Sequence, residues 1–145
     1  MSEISISPTP KWFKVVAIVA LVWNILGVMN YLLTVTMGPE ALASMSEEQQ
    51  AYMEATPVWV IAAFAFAVWG GFAGTLALVL KKAWAVPALI VSLTGVIVQV
   101  VYSFLMSNYL EAFGTGSAIF FLLVLPIGIF LVWLARSAKS KGWIT

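Results

Sequence analysis

The chain has 145 residues, 63% of them hydrophobic and 9% charged, with a mean hydropathy of +1.04 and a formal net charge of +1. That balance lies far outside the range of a water-soluble domain and excludes a nucleic-acid binder, which would carry a dense basic patch. Cysteine and histidine are absent and every acidic residue is a glutamate, which removes thiol chemistry, disulfides, imidazole metal ligands and histidine acid–base catalysis, and nothing in the chain calls for a metal or other cofactor.

A membrane-spanning helix needs about 20 mostly apolar residues. Residues 12–36, 57–80, 83–106 and 117–135 meet that requirement, so the expected fold is all-α, a four-transmembrane-helix bundle forming a single membrane domain over 1–145. The first run follows Lys11 and Lys14, as a signal peptide would. Signal cores are only about 7–15 residues long, however, and this run is longer, which favours an uncleaved span.

Within the first span, WNILGVMNYL (Trp23–Leu32) sets two amides and a tyrosine among apolar residues. At about 100° per residue, Ala20, Trp23, Asn24, Gly27, Asn30, Tyr31 and Thr34 share one side, and Ile18, Leu21, Ile25, Met29, Leu32 and Leu33 the other. The first side is expected to face the bundle and the second to face lipid.

The next 20 or so residues, Gly38 to Pro57, are long for a connection in a compact bundle. Ser46 followed by Gln49 reads as a capping box, and Leu42, Met45, Tyr52 and Met53 form an apolar stripe, so a short interfacial helix is expected here. It would either cover an outward-facing pocket or merely join two spans. Thr56-Pro57 reads as the N-cap and first position of the second span.

The second span carries Ala63, Ala67, Gly70, Gly71 and Gly74, whose Gly70-x-x-x-Gly74 spacing permits close backbone approach. The connection Lys81-Lys82 is so short that the second and third spans must be antiparallel neighbours. In the third span Ala88, Ser92, Gly95, Gln99, Tyr102 and Ser103 oppose Ile90, Leu93, Ile97, Val101 and Phe104. A shift of 68 residues aligns Lys14 with Lys82, Asn24 with Ser92 and Gly27 with Gly95, consistent with a parallel duplication that the second and fourth spans do not share. The fourth span is nearly all large and apolar, with Pro126 expected to bend it, and is expected to be the most lipid-exposed.

Every Lys and Arg falls at the start of the first span, between the second and third, or after the fourth. The other connections hold Glu40, Glu47, Glu48, Glu54 and Glu111, and only Glu3 sits among the basic ends. Basic flanks mark the cytoplasmic side, so both termini are expected there, and any homo-oligomer must be parallel. Lys139 and Lys141 read as topology determinants.

Counting about 1.5 Å per residue from the basic flanks, Asn24 and Ser92 both lie roughly 15 Å deep, and Asn30, Tyr31 and Gln99 lie at about 24–26 Å. That matching predicts a polar column between the first and third spans, serving either as interhelical glue or as a cavity. Gly27, Gly70, Gly71, Gly74 and Gly95 read as helix-packing positions. No charged residue lies between the flanks of a span, which disfavours a proton-driven pump.

Two functions are therefore weighed. One is transport or binding of a neutral, sugar-like or amphipathic solute, with Trp23, Asn24, Asn30, Tyr31, Gln99 and Tyr102 lining an outward pocket. The other is a non-catalytic accessory subunit that packs on a larger membrane partner through the Gly70/Gly74 seam or the fourth span. A lipid-modifying enzyme would have only loop glutamates such as Glu54 and Glu111 to work with, and no enzyme is expected.

The segments KWFKVVAIVALVWNILGVMNYL, ATPVWVIAAFAFAVWGG, KKAWAVPALIVSL and IFLVWLARSAKSKGW, with the WN-x-x-G-x-x-NY pattern, resemble a group of small four-helix bacterial membrane proteins often labelled "sugar transporter". The resemblance implies a bacterial inner-membrane location and transport of a sugar-like solute.

Overall fold

A computed structural model describes residues 8–145; Glu3 lies outside them. The described chain is helical: α1 (Lys11–Val35), α2 (Pro39–Ala43), α3 (Glu47–Ala55), α4 (Val58–Val79), α5 (Ala85–Val101) and α6 (Tyr109–Ser140). A π-helical turn, Tyr102–Met106, extends α5. Four of these elements are long and apolar enough to cross a membrane, as in a multi-pass membrane protein.

Helix ends explain the connections. Ser46 caps α3, its Oγ accepting the Gln49 N–H at 3.2 Å. The reciprocal bond of the capping box does not form there; instead Gln50 Nε2 donates to the Met45 carbonyl at 2.8 Å. Thr56 serves the preceding helix rather than the following one, because its Oγ1 donates to the Tyr52 carbonyl at 2.7 Å and α4 begins only after Pro57.

The α4–α5 turn is a Schellman motif: Lys82 N–H donates to the Ala77 carbonyl at 2.8 Å and Lys81 N–H to the Leu78 carbonyl at 3.1 Å. The left-handed position is held by Lys81, φ 60°, where glycine is the usual occupant. The same motif closes α6, with Gly142 at φ 77° and Trp143 N–H donating to the Ala138 carbonyl at 2.9 Å. Thr145 N–H then donates to the Lys81 carbonyl at 3.0 Å, tying the tail to the α4–α5 turn.

This tail completes the core. Phe13 and Ala17 of α1, Ala77 and Leu78 of α4, Leu89 of α5, Leu134 and Ala138 of α6, and Trp143 and Ile144 form one buried cluster at the end of the bundle that carries the basic residues. Trp143 meets Trp12 at 5.5 Å and Phe13 at 5.4 Å between ring centroids. Its Nε1 is buried without a hydrogen-bond partner, so apolar and aromatic contact docks that ring, with the Lys141 ammonium over its face.

Two expectations about the spans change. The helical stretch runs well beyond 117–135 in both directions, with non-helical backbone at Gly114 (φ 86°, ψ 169°) and Pro126 inside its helical part. The most exposed span is α1, with 11% of its central window buried against 22% for α6. Helix α1 rests mainly on α4, whereas α6 packs on α5 and closes the core through Leu131, Leu134, Ala135 and Ala138.

Candidate functional site

The α4–α5 pair is built on small residues. A Cβ placed on Gly95 would lie 2.5 Å from the Ala63 carbonyl oxygen and 2.8 Å from Ala67 N, and one on Gly70 would lie 3.0 Å from the Ala88 carbonyl oxygen. Gly74 is covered instead by the side chain of Leu89, whose backbone N would lie 3.2 Å from an added Cβ. Ser92 Oγ crosses the seam and donates to the Ala67 carbonyl at 2.6 Å. The Gly70/Gly74 seam is thus filled by α5 of the same chain, and so is not free to receive a partner.

On its other side α4 receives α1. Gly71 is the residue at which all three helices meet: a Cβ there would collide with Asn24 Oδ1 and would lie 3.1 Å from Ser92 Oγ. Asn24 and Ser92 do lie at one level and their side chains meet over Gly71, but neither bonds the other: Asn24 Nδ2 donates to Ala20 O at 2.8 Å and Ser92 Oγ to Ala67 O. Gly27 meets Val68 of α4 at an ordinary 3.7 Å. The positions paired by the 68-residue shift, Asn24 with Ser92 and Gly27 with Gly95, therefore all pack against α4.

The remaining expected site residues divide between surfaces. Trp23 meets Phe120 of α6 at 5.8 Å, and Tyr31 meets Phe64 of α4 at 5.1 Å. Gln99 is half-buried on α5, and Asn30 is exposed on the flank of α1. Tyr102 is buried against Trp59, ring centroids 5.7 Å apart. Asn24 and Tyr102 keep the inward positions expected of them, while Asn30 does not, because it sits about 80° off the centre of the face that packs on α4.

At the end of the bundle that carries the glutamates, α3 bridges the tops of the spans. Tyr52 is the anchor: its ring meets Phe113 at 5.3 Å, Tyr109 at 5.6 Å and Tyr102 at 6.3 Å, and its hydroxyl hydrogen-bonds Ser103 Oγ at 3.1 Å. Burial raises the Tyr52 pKa above its ordinary 10.0, partly offset by hydrogen bonds to Ser103 and Ser107. Aromatic pairs of this kind contribute about 0.5–1.5 kcal/mol each beyond their buried area.

The next two residues of α3 face the other way. Met53 and Glu54, with Thr34 and Met37 from the end of α1 and Leu42 of α2, line an open cleft of about 170 Å³. The stripe of Leu42, Tyr52 and Met53 gave a sequence signal for this arrangement. Ser103, Ser107 and the Gly114 break gave none, since a serine on a membrane helix and a glycine in Gly-Thr-Gly have many uses. Among the described residues no three His, Cys, Asp or Glu side chains converge on a metal site.

No protein-family model matches the chain, no curated protein matches it, and no solved structure matches it.

Proposed function

We propose that this protein is a non-catalytic membrane protein that binds a neutral, sugar-like or amphipathic solute at its glutamate-rich end, with α3 as the cover of the site. The observation that carries this reading is the position of α3, anchored through Tyr52 on α5 and α6 while Met53 and Glu54 line the cleft against Thr34 and Met37. Glu54 accepts hydrogen bonds from solute hydroxyls, Thr34 adds a hydroxyl, and the methionines cover apolar surface.

In this reading the basic end is cytoplasmic, both termini are inside, and α3 lies at the outer interface of a bacterial inner membrane. Passage of the solute would follow the α1–α4 boundary: α1, the most exposed span, moves off α4 and uncovers Asn24, Gly71 and Ser92 below the cleft.

The test uses the full chain in lipid nanodiscs and a panel of neutral alkyl glycosides, read by tryptophan fluorescence, since Trp59 and Tyr102 lie beside the anchor. Met53→Trp, which fills the cleft, should abolish saturable binding while leaving Tyr52 docked. No saturable response from the wild type, or an unchanged response from Met53→Trp, would sink the proposal.

A second reading, an accessory subunit or a parallel homo-oligomer, is favoured by one observation. The Asn30 amide is exposed on α1 beside Leu26, Met29 and Leu33, each more than half exposed. An amide in hydrocarbon gains from a partner across a helix interface. Native mass spectrometry in mild detergent tests it: a monomer with no co-purifying subunit removes this reading.

A further inference from the structure

At the opposite end of the molecule, α1 and the end of α4 leave a groove of about 190 Å³. Its walls are apolar, with Phe13 and Leu78 buried at its base and Ile18 and Val79 along its side, while Lys14 and Lys81 stand at its rim. No carboxylate lines it. The sequence separates these lysines by an entire helical hairpin, and only the packing of α1 on α4 makes them neighbours.

The position of Lys81 is set by its backbone. It occupies the left-handed position of the Schellman motif, φ 60°, and its carbonyl accepts the Thr145 N–H at 3.0 Å. A glycine would suit that backbone better, yet a cation stands there, over the groove. Lys141, by contrast, is engaged elsewhere, with its ammonium 4.8 Å from the centroid of Trp143.

We propose that this groove is a binding site for an anionic phospholipid, whose phosphate pairs with Lys14 and Lys81 and whose acyl chain lies along Ile18 and Val79. The amphiphile matches the site in both charge and direction. The cations mark the helix ends, and the apolar wall continues from them into the spans; Ile18 lies one helical turn deeper than Lys14 on the same face of α1. A free phosphate would use the cations and leave the apolar wall uncovered.

The experiment takes the purified full chain in nonionic detergent and adds phosphatidylglycerol or phosphatidylcholine of matched chain length, with bound lipid counted by native mass spectrometry. Each lysine is expected to contribute about fivefold in affinity for the anionic lipid, so Lys14→Gln with Lys81→Asn should lose about twenty-five-fold. Asparagine is chosen at 81 because it tolerates the left-handed backbone.

Ile18→Trp, an exposed position that fills the groove and keeps both charges, should also displace the lipid, and it keeps the test decisive if the double variant fails to fold. Lys139→Gln with Lys141→Gln removes equal charge outside the groove and should leave binding unchanged. Equal retention of both lipids by the wild type would overturn the site, as would an equal loss in the Lys139/Lys141 variant, which would mean diffuse charge. Displacement by inorganic phosphate alone would mean an aqueous anion site and would overturn the lipid assignment.

Discussion

The same substitution, glycine to alanine, should have opposite consequences at Gly95 and Gly27, although both look like packing glycines in the sequence. At Gly95 the added carbon would lie 2.5 Å from the Ala63 carbonyl oxygen, 2.8 Å from Ala67 N and 3.2 Å from Ala67 Cα, all backbone atoms of α4. None can turn aside, so the helices must separate. A gap of about 0.5–1 Å forfeits a quarter to a half of each dispersion contact along the seam. The Ser92 to Ala67 bond, 2.6 Å long, stretches with it, at about 0.6 kcal/mol for an average interhelical bond in a membrane.

Overpacking of this kind costs about 1–3 kcal/mol. At Gly27 the new carbon would meet only Val68 Cγ1 at 3.7 Å, an ordinary contact. Any gain in helix propensity, up to about 1 kcal/mol, is shared by both variants and cancels in the comparison. Gly95→Ala should therefore be about 1–3 kcal/mol less stable than Gly27→Ala. Reversible unfolding in mixed micelles, followed by far-ultraviolet circular dichroism, measures the difference. Equal stability of the two variants would refute the assignment of the α4–α5 seam as the close-packed one.

Gly71→Ala should destabilise less than Gly95→Ala, because the colliding atom belongs to the Asn24 side chain, and Asn24→Ala should recover part of the loss in a double-mutant cycle. Gly114→Ala should cost about 1–3 kcal/mol from backbone strain alone, since φ is 86° and nothing lies within 4 Å, whereas Gly116→Ala, equally open and without the positive φ, should be neutral; thermal unfolding compares the two. For Tyr52 the raised pKa means that the folded state disfavours the phenolate. The contribution of the neutral Tyr52 hydroxyl to the docking of α3 is fully present below pH 10.0 and is lost as the pH rises through the folded-state value, a loosening that Tyr52→Phe should reduce in hydrogen exchange of α3. Because the chain has no native cysteine, Ser44→Cys and Ser140→Cys should label with an impermeant maleimide from opposite faces of an intact membrane.

Hydropathy and helical period made the four long helices legible, because spanning hydrocarbon demands length and composition that few other folds need. The period also sorted the faces of α5: Gly95, Tyr102 and Ser103 are buried, and Ile90, Ile97 and Val101 are exposed. The cap of α3 was readable for a local reason, since Ser46 reaches only its own helix.

What depended on distant chain was decided by tertiary structure alone. Depth placed Asn24 and Ser92 at one level, but depth has no azimuth, and so could not show that Gly71 of α4 is the junction over which their side chains meet. Nor could a one-dimensional pattern show that Thr145 ties down the Lys81 turn, that Tyr52 finds Ser103 about a third of the chain away, or that Lys14 and Lys81 share a groove. The order of helices around a bundle is chosen by which small-residue face fits which neighbour, and that fit is a property of pairs of surfaces, which a single strand of sequence does not contain.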